Sequence, residues 1–211
     1  MPSLVVHVAL AGLLAAGLLG SAFDRRSLLV VLGAVVFADT DVFVGFVLQG
    51  GHRSAFHTLL LPAGVAALVY YDVRLRERSW LRDRFGPTAP RVAGVTLVTY
   101  VFAAIGLDFV TGGANVLYPL HDQFYYLNGR FVLSNQRGVV QTFVTMNPGG
   151  ISAPAVGSTE TVHMGSGFDP SAGREPRDVE RIFPVVGSGW QLLLLVTSSV
   201  VVGSRLWETR E

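Results

Sequence analysis

Residues 35–58 read VVFADTDVFVGFVLQGGHRSAFHT and carry ionisable side chains at the boundary between two apolar runs. Asp39 and Asp41 lie near the end of the first run, and His57 lies at the start of the second. An Asp at the centre of a membrane helix costs roughly 2.5–3.5 kcal/mol, so residues of this kind are functional candidates. Six such residues lie in or beside apolar runs: His7, Asp39, Asp41, His52, His57 and Asp108.

The composition favours a membrane protein. Of the 211 residues, 50% are hydrophobic and 15% are charged, and the mean hydropathy is +0.47. A soluble domain carries about 25% charged residues. The absence of cysteine excludes disulfides, thiolate metal sites and a cysteine nucleophile. The net charge of +1 gives no basic surface for nucleic acid, so we expect no nucleic-acid partner.

Apolar segments of about 20 residues are long enough to cross a bilayer as helices. The sequence has such segments at residues 4–22, 27–48, 56–71, 92–109 and 189–206. It therefore predicts an all-α integral membrane bundle of about five transmembrane helices with a small extramembrane β-hairpin and loop segment. The first segment could instead be a signal peptide, but no basic region precedes it and another apolar run follows directly.

Three regions follow from these segments. Residues 1–109 would form four transmembrane helices that carry the metal site, and residues 110–188 would form an extracytoplasmic hairpin and flexible loop. Residues 189–211 would form the last transmembrane helix and a short cytoplasmic tail.

Arginines near span ends are retained on the cytoplasmic side of a membrane. In this chain they group on one side of the predicted bundle: Arg25, Arg26, Arg74, Arg76, Arg78, Arg82, Arg84, Arg91, Arg205 and Arg210. We therefore expect a multi-pass protein of the plasma membrane with its N-terminus outside and its C-terminus in the cytoplasm. In this topology all six candidate residues fall on the outer side, which indicates a single site. The arginines of residues 74–84 would anchor the topology or bind anionic lipid head groups.

Imidazole nitrogens and carboxylate oxygens together are ligands for zinc, manganese or iron, and zinc is our first expectation. Asp39 and Asp41 point about 200° apart on a regular helix, so either the helix is broken near Gly45 or only one carboxylate faces the metal. Ser54 is a candidate N-cap, which would place His57 in the first turn of the third span.

Other readings of these side chains remain open. His7 could be an interfacial histidine bonded to a backbone carbonyl, and Asp39 or Asp41 could cap a helix or pair with Arg53. The guanidinium of Arg53 also suits a phosphate or carboxylate on a substrate. One pair and two further residues fit loop or surface positions: His121 with Asp122, Glu160 and His163.

The segment after residue 109 is too polar to lie in the membrane. Residues 122–127 and 130–134 predict a β-hairpin, with Asn128 and Gly129 in a type I′ turn, and residues 138–146 could add a third strand. Residues 147–174 predict a mobile or partly disordered loop, and residues 175–181 could form one or two helical turns. A lid over the metal site is a natural role for this segment.

The order of the candidate residues resembles the YdjM-like membrane-bound metal-dependent hydrolases, most of all their archaeal, halophile-type members. The resemblance covers about the first 125 residues, and its most specific part is D-x-D followed by H-R-x-x-x-H. It rests on His7, on Asp39, Thr40 and Asp41, on residues 52–58 (HRSAFHT), and on Gly106, Leu107 and Asp108 followed by residues 117–120 (LYPL).

The resemblance implies a metal-dependent hydrolase of the inner or plasma membrane. By position the site would be carried by His7, Asp39, Asp41, His52, His57 and Asp108. Members often place a His directly after the second Asp and another four residues before the last Asp, but here these positions are Val42 and Ala104. The loss of two imidazoles implies fewer metals, weaker binding or a site that does not catalyse.

We therefore expect a membrane hydrolase with one or two divalent metals at the outer face. Asp39 would act as general base and Arg53 would contact a lipid-linked or phosphoester substrate, with membrane lipids as the other partner. A transporter or proton relay would use the same residues, but it needs polar groups in the cytoplasmic halves of the spans, which are nearly pure Leu, Val and Ala. A catalytically inactive structural protein is the third possibility.

Overall fold

The protein is mostly helical. The computed structural model describes residues 2–147, 150–152, 154–173 and 178–209. Its α-helices are α1 Leu4–Leu18, α2 Arg25–Asp39, α3 Leu60–Tyr70, α4 Trp80–Phe85, α5 Ala89–Thr99, α6 Leu107–Thr111 and α7 Gly189–Glu208. Tighter turns at Thr40–Phe46 extend α2, and wider π-helical turns at Tyr71–Leu75 and Tyr100–Gly106 extend α3 and join α5 to α6.

Within the described ranges, three helices are long and apolar enough to cross a membrane: Arg25–Phe46, Ala89–Thr111 and Gly189–Glu208. Helix α1 is apolar but shorter, and α3 with its π-helical extension ends at Leu75. The structure therefore supports the helical membrane architecture, while the count of five spans remains a prediction. The division into residues 1–109, 110–188 and 189–211 also remains a prediction.

Small residues allow the helices of the bundle to approach one another closely. Gly12 of α1 lies where an added Cβ would be 3.0 Å from the Ser198 hydroxyl and 3.1 Å from Val202, so α1 and α7 pack tightly. The fully buried residues Ala15 and Val31 belong to an apolar core that α1 shares with α2, and Val202 of α7 packs against the same core. This packing fixes the direction of α1 and therefore the position of its first turn.

Two arginines cap the end of the bundle where α1 ends and α2 begins. Nη2 of Arg91 donates to the carbonyl of Leu18 at 3.0 Å, and Arg205 lies over the ring of Phe23 at 5.3 Å from its centroid. Helix α2 begins after Asp24, whose carboxylate accepts a hydrogen bond from the amide of Ser27 at 2.7 Å. This end of the bundle lies opposite the first turn of α1. Arg210 of the predicted arginine group falls outside the described residues.

The third helix begins later than the sequence predicts. Helix α3 starts at Leu60, and the Ser54 hydroxyl donates to the carbonyl of Gly50 at 2.6 Å, so Ser54 is not the N-cap. The prediction that His57 lies in the first helical turn is therefore wrong. His57 belongs to a non-helical loop that is held by side-chain contacts to Asp41.

The segment between α6 and α7, residues 112–188, contains short antiparallel strand pairs. We call it the outer segment, after the side of the membrane on which the sequence predicts it. Its strands are β1 Phe124–Tyr125, β2 Phe131–Ser134, β3 Gly138–Gln141, β4 Thr145–Asn147, β5 Gly150–Ser152 and β6 Ala155–Gly157. They pair as β1 with β6, β2 with β3 and β4 with β5. A small β-hairpin is therefore present, but not the predicted one.

The predicted pairing of residues 122–127 with residues 130–134 is wrong. A type I′ turn needs positive φ at both central residues, and among the described residues with positive φ neither Asn128 nor Gly129 occurs. Gly138, at φ 67, closes the β2–β3 hairpin instead. The amide of Leu127 donates to the carbonyl of Phe109 at 2.9 Å, which ties this part of the chain to the bundle.

The predicted loop at residues 147–174 also contains regular structure, because β5 and β6 fall within it and β6 is the partner of β1. Of the predicted helical turns at residues 175–181, residues 175–177 lie outside the described residues, and residues 178–181 are not helical.

Candidate metal centre

Three helices bring a close group of ligand atoms together at one end of the bundle. His7 lies in the first turn of α1, Asp39 is the last residue of α2, and Asp108 lies in α6. One ligand atom from each residue lies within 4.8 Å of the others. His7 places Nδ1 at 3.5 Å from Asp39 and Nε2 at 3.2 Å from Asp108. We call these three residues the metal group.

The change from α-helix to tighter turns after Asp39 explains how two carboxylates so close in sequence both reach the site. The carboxylate of Asp39 belongs to the metal group and is also 3.6 Å from Nε2 of His57. Asp41 lies behind the same imidazole and accepts from its Nδ1 at 2.8 Å. The α-helix therefore changes to tighter turns at this point, and of the two carboxylates only that of Asp39 belongs to the metal group.

Asp41 anchors the loop that carries the histidines. Its carboxylate is fully buried, meets Nδ1 of His57 and Nδ1 of His52, the latter at 2.9 Å, and accepts from the amide of Phe56 at 3.3 Å. A carboxylate behind an imidazole fixes the orientation of the ring and raises its basicity as a ligand. Here it directs Nε2 of His57 toward Asp108, whose Oδ2 is 3.2 Å away.

Arg53 reaches the metal group from the same loop. Its side chain is only 2% exposed, and its Nη2 is 2.6 Å from Oδ1 of Asp108. Its backbone has φ 63, the left-handed region that costs a non-glycine residue free energy. Within the described part of the chain, its Nε and Nη1 atoms have no hydrogen-bond partner. The sequence left open a pair between Arg53 and Asp39 or Asp41, but the structure pairs Arg53 with Asp108.

The unsatisfied nitrogens fit a bound cation at this place. Both ring nitrogens of His7 and Nε2 of His57 are buried and lack hydrogen-bond partners among the described residues. Buried polar atoms are normally satisfied, so such a cluster needs an explanation. Nε2 of His57 faces two carboxylates, Asp39 at 3.6 Å and Asp108 at 3.2 Å, without a hydrogen bond, which is the geometry of a metal ligand. The interpretation of His7 as a histidine bonded to a backbone carbonyl is therefore wrong, because its two ring nitrogens lie beside Asp39 and Asp108.

The charges also fit one divalent cation. Asp39, Asp41 and Asp108 are three carboxylates, and Arg53 supplies one guanidinium. With neutral imidazoles, which metal binding requires, two net negative charges remain. Nitrogen and oxygen donors without sulfur suit zinc, manganese or iron. The metal group can therefore hold such an ion, and its identity is not fixed by the donor set.

The backbone of Arg53 is held by a series of hydrogen bonds through Asn115, Asp122 and Thr159, of which only Asp122 stands out in the sequence, as part of a loop pair with His121. The amide of the fully buried Asn115 donates to the carbonyl of Arg53 at 2.9 Å. The Asn115 side chain donates to Asp122 at 2.7 Å, and Asp122 accepts from the amide of Thr159 at 3.0 Å and from its hydroxyl at 2.6 Å. This chain connects the outer segment to the site. Because it depends on contacts distant in sequence, local patterns carried no signal for it.

The other predicted candidates lie outside the metal group. Nε2 of His121 pairs with the hydroxyl of Tyr125 at 2.8 Å, which agrees with a loop role. His163 contacts the carbonyl of Gln49 at 3.3 Å, and Glu160 is exposed. Val42 lies beside the site, whereas Ala104 is buried in the apolar core. Where related chains would have histidines, this chain therefore has apolar side chains.

A cavity of about 740 Å³ opens onto the metal group. Its polar end is formed by His7, Asp39, His52, Arg53 and Asp108. The remaining walls come from the start of α1, from residues 165–170 and from residues 180–187. Parts of the segment after residue 109 therefore line the cavity, at residues 165–170 within the predicted loop and at residues 180–187 beyond it. Its role as a lid remains a prediction.

A helical bundle of membrane-spanning length with an Asp/His group at one end defines a membrane protein with a candidate metal site. The family model described as YdjM inner membrane protein matches residues 1–165. The chain belongs to this family, as the resemblance of its motifs indicated, and the match extends beyond residue 125. No curated protein and no solved structure matches the chain.

Proposed function

We propose that this chain is a multi-pass plasma-membrane hydrolase that uses a divalent metal, most simply zinc, to cleave a phosphoester or a lipid-linked substrate at the outer membrane face. The observation that carries the proposal is the environment of the Arg53 side chain. A buried guanidinium with unpartnered Nε and Nη1 atoms lies beside a metal group and lines an open cavity. Such a guanidinium is suited to a substrate oxyanion.

Each residue has a distinct part in this proposal. His7, Asp39 and Asp108 would hold the ion, with His57 as a further ligand through Nε2. Asp41 would orient His57 and His52 from behind. Arg53 would bind the phosphoryl oxygens through its free nitrogens. Ligand roles for Asp41 and His52 remain predictions of the sequence.

Asp39 is the group best placed to accept a proton. Its side chain is 18% exposed, whereas that of Asp108 is 1% exposed, so Asp39 is the carboxylate of the metal group that water can reach more readily. A bound divalent ion would supply Lewis-acid activation of the substrate and of the attacking water. Asp39 would take the proton of that water, and Arg53 would neutralise the charge that develops on the substrate.

The positions of two arginines support an orientation in which the metal group lies on the outer side of the membrane. Arg91 and Arg205 lie at the end of the bundle opposite the metal group. If these arginines are cytoplasmic, the metal group lies at the outer face.

The first test is elemental analysis of the detergent-purified protein, followed by assays on simple phosphomonoesters. We expect near-stoichiometric zinc, manganese or iron that is lost in the double variant Asp39→Ala, Asp108→Ala. Asp83→Asn is the matched control, because this carboxylate is exposed on α4, outside the metal group. It should retain metal and activity.

Two outcomes would overturn the proposal. Protein that binds none of the three metals after dialysis against each of them would exclude the metal centre. Protein that binds metal through Asp39 and Asp108 but hydrolyses no phosphoester, while carrying protons or cations in liposomes, would favour the transport function instead.

A further inference from the structure

The cavity above the metal group has two chemically different parts. Charged and imidazole side chains occupy its floor, whereas the rest of its wall is largely apolar. The apolar side chains come from three places: Leu4 and Val5 at the start of α1, Val42 after α2, and Phe168, Ile182 and Phe183 in the outer segment. The amphipathic lining matches a ligand with a charged head and a hydrocarbon tail.

Two side chains of the apolar wall are more than half exposed. Ile182 is 62% exposed and Phe183 is 57% exposed, although both line the same cavity as the metal group. Contiguous exposed apolar surface of this kind marks a binding site or a membrane contact. The ring of Phe168 packs between its neighbours, with centroids 5.1 Å from Phe183 and 5.5 Å from Phe43. The wall is therefore continuous with Phe43, in the tighter turns that extend α2.

The segment that carries this wall is fixed to two apolar helices. The Ser3 hydroxyl, just before α1, donates to the carbonyl of Val185 at 2.5 Å, and the amide of Gly187 donates to Gln191 of α7 at 2.6 Å. Lipid-exposed non-helical backbone does not occur in the hydrocarbon core. Because this exposed, non-helical segment directly precedes the apolar helix α7, we place it at the membrane boundary. A hydrocarbon chain that leaves the bilayer there would reach the wall directly.

We infer that the wall formed by Leu4, Val5, Val42, Phe168, Ile182 and Phe183 binds the hydrocarbon chain of an amphiphilic substrate whose anionic head lies at Arg53 and the metal group. This inference rests on the proposed function and narrows it to single lipids with an anionic phosphate head. The cavity volume of about 740 Å³ suits a molecule of that size, because ligand pockets run to about 300–1,000 Å³.

The test measures binding separately from hydrolysis. The full chain in lipid nanodiscs, loaded with zinc, is titrated with alkylphosphonates of increasing chain length, which carry the head but cannot be hydrolysed at the phosphorus–carbon bond. We expect the affinity to rise up to about fourfold for each methylene that the wall buries. The rise should be largely lost in the double variant Ile182→Ser, Phe183→Ser.

A matched variant separates the wall from simple partition into the bilayer. Leu133→Ser changes an apolar side chain of β2 that is 79% exposed and does not line this cavity. It should keep the wild-type dependence on chain length. An equal dependence in Leu133→Ser and in the double wall variant would mean partition alone and would overturn the inference.

The same titration distinguishes this inference from the proposed function. One outcome is that phosphomonoesters are hydrolysed equally well whatever their chain length and that phosphonate affinity is also independent of chain length. It would overturn the inference and leave the hydrolase proposal standing. Length-dependent binding that the wall variant abolishes, without hydrolysis of any ester, would support the lipid site and overturn the hydrolase.

Discussion

Asp41 accepts a hydrogen bond from Nδ1 of His57 at 2.8 Å, and this contact determines which ring nitrogen faces the metal group. Both partners are fully buried. With Nδ1 engaged, Nε2 is left free to act as a ligand, and it lies 3.2 Å from Asp108. If His57 holds an ion through Nε2, Asp41 would orient its ring and raise its basicity as a ligand.

The first prediction concerns Asp41→Asn. An amide cannot hold the His57 ring as the carboxylate does, so we expect metal affinity to fall about 10–100-fold while one ion still binds at saturating concentration. Asp39→Asn, in contrast, removes a carboxylate of the metal group and should reduce the stoichiometry itself. Competition with a chelator measures both quantities. Equal effects of the two variants would contradict the positioning role of Asp41.

The second prediction concerns Arg53→Gln. Removing the guanidinium leaves three carboxylates without their cationic partner, so the variant should bind a divalent ion at least as tightly as the wild type. Hydrolysis of a phosphoester should fall about 10²–10³-fold in kcat/KM, the effect of losing one donor to a developing oxyanion. Metal titration and steady-state kinetics on the same preparation separate the two effects.

Arg53→Lys is the control for charge in this experiment. It keeps the positive charge but not the planar fork of donors, so it should recover part of the activity at most. Both variants place a side chain at the same left-handed backbone position, φ 63, so a difference between them cannot come from backbone strain. Loss of metal in Arg53→Gln would show that the guanidinium is needed for the site to form.

The position of the metal group could be predicted from sequence because ionisable side chains in apolar runs are costly and therefore conspicuous. His7, Asp39 and Asp108 stand out in this way although they are distant in sequence, and the structure brings them together. The alternation of apolar and polar segments likewise placed most helix ends within a few residues of their observed positions. The cost of burying ionisable groups and the lengths of the apolar segments, which are both readable from local sequence, were sufficient to predict the residues of the metal group and the helices.

The outer segment could not be predicted in the same way. Asn128 and Gly129 favour a tight hairpin locally, yet β1 pairs with β6, distant in the chain, and Gly138 closes the hairpin that does form. The contact between Asn115 and Arg53 also depends on tertiary structure. Strands of two to four residues carry little local signal, so long-range contacts decide their partners.

The third prediction concerns the close approach of Gly50 to the outer segment. A Cβ at this position would lie 2.4 Å from Cα of Thr159 and 2.8 Å from its carbonyl oxygen, and backbone atoms cannot simply turn aside. Gly50→Ala should therefore destabilise the docked outer segment by about 1–3 kcal/mol. Gly64→Ala is the control, because no heavy atom of the described chain lies within 4 Å of the Cβ it would add.

Limited proteolysis and thermal unfolding would measure this difference. We expect faster cleavage in the outer segment of Gly50→Ala, and weaker retention of the metal because the loop after Gly50 carries Arg53 and His57. Gly64→Ala adds a better helix former to α3 and should leave cleavage unchanged. Identical cleavage of the two variants would mean that the outer segment is not held at Gly50.

The fourth prediction concerns the pH dependence of the contact between Asp122 and Thr159. Burial raises the pKa of Asp122, but the hydrogen bonds from the Thr159 hydroxyl and amide and from Asn115 outweigh it and hold the pKa below the ordinary value of 3.8. A carboxylate whose pKa is lower in the folded than in the unfolded state stabilises the fold above the unfolded value. This stabilisation is lost as the pH falls through the folded value.

Hydrogen exchange at the Thr159 amide, corrected for its intrinsic pH dependence, would follow this contact. Protection should be constant from pH 7 to 5 and should fall below about pH 3.8, where the carboxylate begins to gain a proton in the unfolded state. In Asp122→Asn the protection should be about fivefold lower at pH 7, since a partly exposed charged hydrogen bond is worth about 1 kcal/mol. The protection of the Thr159 amide in Asp122→Asn should also show no fall at low pH, whereas Asp83→Asn should behave as the wild type. An acid transition that persists in Asp122→Asn would assign it to another carboxylate and would remove Asp122 from the path that connects the outer segment to Arg53.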